Sequence, residues 1–134
     1  MKIASAVDFL HNLRRYDRFC LTDIKGLKGR MNELGRKHSL ISLSRGGCGF
    51  FSRTQNEVVA TTANPIVNCE FKWSRFHSKP VNILGRLVYC VPKESNGKKV
   101  FYFGIEFLQP ELILPLILKL EDLAARGKVS TFVR

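Results

Sequence analysis

The sequence predicts a small, mainly β domain in which short antiparallel strands wrap toward a barrel and a helix closes the chain. Three observations carry this. "NCEFKW" and "VFYFGIEF" alternate apolar and polar residues with the period of a half-buried strand. Gly-rich and Asn-Gly stretches separate such runs, as hairpin turns do. The last apolar run, "PELILPLILKLEDLAARG", switches to a helical period.

The elements follow in order. Ile3, Val7, Leu10 and Leu13 fall near one helical face, so residues 1–13 read as a short N-terminal helical segment and residues 14–134 as the barrel domain with its C-terminal helix. "HSLISLS" is rich in strand formers and stops at "RGGCG", where a glycine bulge is expected. In the next strand Cys69, Phe71 and Trp73 face one way and Asn68, Glu70 and Lys72 the other. "ILGRLVYCV" is a further strand, turning at Asn96-Gly97 into a return strand with Phe101, Phe103, Ile105 and Phe107 on one face. Pro115 cannot sit inside a helix without losing a hydrogen bond. The spacing therefore predicts a tight turn over 110–113 and a helix starting near Leu114, with Pro115 at its first position and Gly127 as its stop.

A chain of 134 residues with 45% apolar content suits one domain with one core. Lys and Arg number 22 against 11 acids, a formal charge of +11, which argues for an anionic partner. No run approaches the ~20 apolar residues of a membrane helix. Asp8 breaks the short N-terminal apolar run, which does not read as a secretion signal. Cysteines 20, 48, 69 and 90 stand apart with no metal-ligand spacing, so they are expected as reduced thiols in a cytoplasm, with no metal and no cofactor.

Catalytic chemistry finds little support. His11, His38 and His77 are scattered outside any recognised motif, and "SRGGCG" lacks the Lys-Ser/Thr ending of a phosphate loop. A nucleophilic Cys48 is the sharper reading of that stretch; a glycine bulge in a barrel strand is the plainer one and the one expected. No enzyme is expected.

Binding chemistry is better represented. "NLRRYDRF" packs Arg14, Arg15 and Arg18 around the single acid Asp17. Guanidinium forks suit phosphate oxygens, and three of them exceed what one carboxylate can pair. "SLSRGG" adds hydroxyls at Ser42 and Ser44 and glycines at Gly46 and Gly47, where backbone can approach a ligand closely.

Arg14-x-x-x-Arg18 followed downstream by Ser42-x-Ser44-x-x-Gly47 resembles the paired motif of PilZ domains, RxxxR and D/N-x-S-x-x-G. "GRLVYCV", "YFGIEF" with Gly104 and Phe107 as G-x-x-F, and the terminal helix resemble the rest of that family, so the likeness runs from residue 14 to about residue 126. It implies a six-stranded antiparallel barrel that binds cyclic di-GMP. It places Arg14 and Arg18, assisted by Arg15, on phosphates and guanine faces, and Ser42, Ser44, Gly46 and Gly47 at a guanine edge. Tyr89 stands where many members carry an aromatic residue near the ligand, which implies stacking; packing in the barrel wall is the alternative. The departure is Ser42, where the family has an acid or amide. The implied function is a receptor that relays the second messenger to a separate downstream protein, in motility, pilus or biofilm-type control, through ordering of the arginine segment and movement of the N-terminal helix. Two rivals stand beside it. One is a degenerate module that binds a protein without nucleotide. The other is a basic barrel binding single-stranded nucleic acid, against which the core-type spacing of the Phe residues argues.

Overall fold

The computed structural model describes residues 18–33, 36–52, 65–76 and 79–129. The helix predicted over residues 3–13 lies outside them, as do Arg14 and Arg15.

Among the described residues eight strands build one antiparallel sheet: β1 (Phe19–Cys20), β2 (Leu27–Glu33), β3 (Arg36–Leu40), β4 (Ser42–Leu43), β5 (Gly47–Ser52), β6 (Ile66–Trp73), β7 (Val81–Ser95) and β8 (Lys98–Phe107). Their order is β1-β4-β5-β8-β7-β6-β2-β3. The expected count of six is corrected to eight, for two reasons. Residues 36–43 run as one extended segment that bends at Ile41, pairing first with β2 and then with β5. In addition, a two-residue strand, β1, pairs with β4 on its other side. The bend keeps its hydrogen bonds: Ile41 N–H donates to the Gly49 carbonyl (2.8 Å) and the Ile41 carbonyl accepts from Leu21 N–H (2.8 Å). Since β3 and β4 lie toward opposite ends of the sheet order yet are joined through one residue, the sheet must curl.

The alternation read from the sequence sets the inside of this curl. Val67, Cys69, Phe71 and Trp73 of β6 are buried, as are Phe103, Ile105 and Phe107 of β8. They join Phe19, Met31, Leu43, Phe50, Ile83 and Leu87 in one core cluster. Phe50 stacks on Phe103 at 5.1 Å, and Phe71 meets Phe107 edge-on at 6.1 Å. The expected glycine bulge is absent from β5, which pairs with β8 in unbroken register. The irregularity lies in β7 instead: Leu87 faces Ile105 and Tyr89 faces Gly104, so Val88 is the extra residue, and it is buried.

A 3-10 turn over Pro110–Leu112 leads into helix α1 (Leu114–Ala125), with Pro115 in the first turn, where its missing N–H costs nothing. Leu116, Ile117, Leu120 and Leu123 form its buried stripe and belong to the common core. Gly127, at φ 73°, ends it. Its N–H reaches the Ala124 carbonyl (3.0 Å) and Lys128 N–H reaches the Leu123 carbonyl (2.8 Å), the Schellman pattern. Among the described residues no helix is long and apolar enough to cross a membrane.

Candidate functional site

Arg18, the last residue of the arginine motif, meets the serine-glycine motif at the β1–β4–β5 edge. Phe19 lies opposite Leu43 and Cys20 opposite Ser42. Extending that register by one residue sets the backbone of Arg18 level with Ser44. The chain therefore delivers the last arginine of the cluster directly beside the serine-glycine stretch. Arg18 is half-buried.

The serine-glycine stretch forms the turn from β4 to β5. Ser44 N–H donates to the Gly47 carbonyl (2.8 Å), and Ser44 Oγ approaches the same oxygen (3.4 Å). The Gly46 carbonyl accepts from Phe107 N–H (2.9 Å), which ties the turn to the end of β8. Ser44 is buried, so its hydroxyl serves the turn rather than projecting from it. Gly46 and Gly47 are not in the left-handed region of backbone space. Nothing lies within 4 Å of where a Gly46 Cβ would stand. The fold thus places no steric demand on glycine at this position.

Ser42 is buried, and its Oγ lies 2.7 Å from the Tyr102 hydroxyl. The contact follows from the sheet. Ser42 pairs with Gly49 and Gly49 with Gly104, so three small residues line one outward row. Tyr102, two positions before Gly104, lays its phenol across Gly49; a Cβ there would collide with the ring and its hydroxyl. Phe51, the register partner of Tyr102 and half-exposed, meets that ring edge-on at 5.1 Å.

Arg45, between the two motif halves, forms a two-pronged ion pair with Glu121 of α1, Nε to Oε2 at 2.8 Å and Nη2 to Oε1 at 2.5 Å. A fork of this kind fixes direction as well as distance. The other candidates are placed as follows. Tyr89 lies in β7 opposite Gly104, at the next register position of the same row, and its side chain lies outside the described residues. Cys48 points into the core. Burial, with a contribution from Cys69 Sγ at 3.8 Å, pushes its thiol well above the usual range, which is the opposite of an activated nucleophile. His38 packs its ring on Phe50 at 4.7 Å. No group of three His, Cys, Asp or Glu residues that could hold a metal ion occurs among the described residues.

The sequence reading missed Tyr102, Gly49 and Glu121. Tyr102 reads as the polar phase of an alternating strand, and Glu121 as a solvated helix residue. Their partners lie 60 and 76 positions away in the chain, beyond the reach of any local pattern.

No family model matches the chain, and no curated protein matches it by sequence. Solved structures match it in fold. Borreliella burgdorferi PlzA in complex with c-di-GMP aligns with a TM-score of 0.59 at 18% identity, over 97% of this chain and 60% of that one. The K. pneumonia MrkH–c-di-GMP complex aligns with a TM-score of 0.64 at 16% identity, over 86% of this chain and 55% of that one. The c-di-GMP-bound PilZ domain of Escherichia coli YcgR aligns with a TM-score of 0.59 at 15% identity, over 85% of this chain and 95% of that one. The chain spans less than two thirds of the PlzA and MrkH chains.

Proposed function

We infer from the PilZ-type fold of this chain that it is a non-enzymatic receptor for cyclic di-GMP. The observation that carries the reading is the meeting of two motifs. Arg18 enters the sheet beside the Ser42–Gly47 stretch, so the last arginine of the cluster and a close-approach turn share one edge. In this reading Arg14 and Arg18, with Arg15, clamp the phosphates through charge-assisted hydrogen bonds, and the turn offers its open face at Gly46 to a guanine. The excess of positive charge raises the encounter rate for such an anion. A receptor of this kind acts through a downstream protein that senses the occupied state.

A second reading is favoured by one contact. Ser42 stands where the PilZ motif has an acid or amide, and its hydroxyl is already engaged by Tyr102. That occupancy supports a module that binds a protein partner and no nucleotide.

Calorimetric titration with cyclic di-GMP separates the two. The receptor saturates, and Arg14→Ala and Arg18→Ala each weaken binding by roughly tenfold or more, the worth of a charge-assisted hydrogen bond. Wild-type affinity in both variants removes the clamp. No heat with wild type leaves the protein-binding module. Steeply salt-dependent binding to oligonucleotides of any sequence marks the nucleic-acid alternative.

A further inference from the structure

The outer face of β2, β6 and β7 carries two features that neither the fold nor the nucleotide reading uses. At one end are cations. Lys28 stands directly opposite Lys72, and Arg30, the next outward residue of β2, stands opposite Glu70; all three cations are exposed. Among the described residues none of these four forms an ion pair. Like charges directly opposite each other on paired strands are destabilising. The sheet itself therefore gives no reason for lysine at both positions. Beside them a hollow of about 280 Å³ opens, lined also by Gly26 and Ser74. At the other end are aliphatic side chains. Ile66 and Leu84 are diagonal neighbours across β6 and β7, and Leu108 N–H donates to the Leu84 carbonyl (3.0 Å). Ile66, Leu84 and Leu108 are 55%, 46% and 38% exposed. The two ends are joined along β6 from Ile66 to Lys72, roughly 20 Å of extended strand.

We propose that this face docks a partner protein through an acidic segment with an apolar anchor. Carboxylates of the segment meet Lys28, Arg30 and Lys72, and an aliphatic side chain covers Ile66, Leu84 and Leu108. Charge complementarity commits the occupant. The cationic end holds three positive side chains against Glu70, on a chain of formal charge +11. That field attracts an acidic partner and repels a second copy of this chain. The apolar end separates the classes of anion. Single-stranded nucleic acid stacks its bases on aromatic side chains. The aromatic residues of β6, Phe71 and Trp73, are buried on the inner face, and the large apolar residues exposed on the outer face are aliphatic. Membrane insertion sinks apolar side chains below a belt of cations, whereas here the two groups lie side by side along one strand. An extended protein segment matches that layout, gaining apolar burial at one end and direction from charge at the other. The proposal holds under either reading above, since each requires a protein partner, and it uses none of the residues assigned to the nucleotide.

The test titrates the full chain, labelled with nitrogen-15, with a synthetic peptide of about ten residues, long enough to span both ends, that carries leucines in one half and glutamates in the other. Amide shifts are expected on residues 28–30, 66–72 and 84, and binding weakens as salt rises. A peptide with lysine in place of glutamate does not bind. Lys72→Glu weakens binding roughly tenfold, because it turns an attraction into a repulsion. The same exchange sets an opposite charge across from Lys28, so the melting temperature stays level or rises. Lys28→Gln removes one attraction with no new charge and serves if Lys72→Glu does not fold. Leu84→Ser weakens binding roughly fivefold, the worth of covering a half-exposed leucine, and leaves the salt dependence as it was. Absence of shifts on these residues up to millimolar peptide overturns the proposal. Wild-type affinity in both charge variants overturns it too, as do lower melting temperatures in both, which would assign the cations to the fold. Shifts of the same amides by oligothymidylate or by phosphatidylglycerol vesicles, with none from the peptide, would give the face to nucleic acid or to lipid instead. No arm contains cyclic di-GMP, so the receptor reading stands or falls separately.

Discussion

Two turns of this molecule look alike in sequence and differ in what holds them. Asn96-Gly97 joins β7 to β8, and Arg45-Gly46 lies between β4 and β5. Each links antiparallel strands and each contains glycine. Asn96 and Gly97 both take left-handed backbone angles, φ 52° and 75°, the conformation that matches the twist of paired strands. Nothing lies within 4 Å of a Cβ built on Gly97, and both residues are exposed. That turn is explained by its own two residues. The turn at Arg45-Gly46 uses no left-handed angle. Beyond its own Ser44–Gly47 hydrogen bond it is held from outside, by Phe107 N–H on the Gly46 carbonyl and by Glu121 on Arg45. A locally determined turn serves the fold. A turn with open glycine space and remote ties is where the fold leaves room for something else.

The sharpest way to break the comparison is Gly97→Ala. An L side chain at φ 75° carries the left-handed penalty, about 1–2 kcal/mol. Chemical denaturation should show that loss, with cyclic di-GMP affinity unchanged, because the hairpin end extends along β7 and β8 beyond the last β5–β8 pair, Ser52 with Phe101. An unchanged midpoint would mean the turn relaxes to another type.

The same contrast explains what was legible beforehand. The Asn-Gly turn, the alternation of β6 and β8, the Pro115 start and the Gly127 stop all depend on residues within a few positions, and each stands where the sequence put it. The strand count did not, because the bend at Ile41 arises when one extended segment changes partners, a decision made by β2 and β5 rather than by the segment. The bulge was misplaced for a related reason. Glycines at 46, 47 and 49 suggested irregularity, yet Gly49 is small to admit the Tyr102 ring, while the extra residue is Val88, an ordinary strand former. At the site, the sequence identified the strand and the turn. It could not show that Ser42 has a phenol for a partner or that Arg45 is tied to α1.

A smaller effect is expected at Glu121. Removing it by Glu121→Ala strips Arg45 of a two-pronged partner. The side chains are 39% and 25% exposed, so solvent screening reduces the worth of the pair to about 0.5–1 kcal/mol. Asp122 supplies an internal control on the same helix. Its pair with Arg126 is a single 3.3 Å contact between side chains that are 65% and 58% exposed. Asp122→Ala should cost only a few tenths of a kcal/mol. Equal losses in the two variants would show that the bridge to the turn adds nothing beyond an ordinary surface pair.

The smallest effect on the fold, and the most informative about the site, is expected at Gly46. Its backbone lies outside the left-handed region, and nothing stands within 4 Å of the place a methyl group would take. Alanine there should therefore keep the fold and reduce the freedom of the unfolded chain, leaving stability unchanged or raised by about 0.5 kcal/mol. That is the opposite sign to Gly97→Ala, although both exchanges add one methyl to a turn glycine. Binding should respond the other way round. If the open face at Gly46 receives the guanine, a methyl there intrudes on the ligand alone, and cyclic di-GMP affinity falls by roughly tenfold, as for a steric contact worth about 1.4 kcal/mol. Denaturation and titration of the same preparation test both halves. A stable variant with wild-type affinity would detach Gly46 from the ligand and leave recognition to the arginines. A destabilised variant would mean that the glycine is required by the turn after all, and the distinction between the two turns would fall.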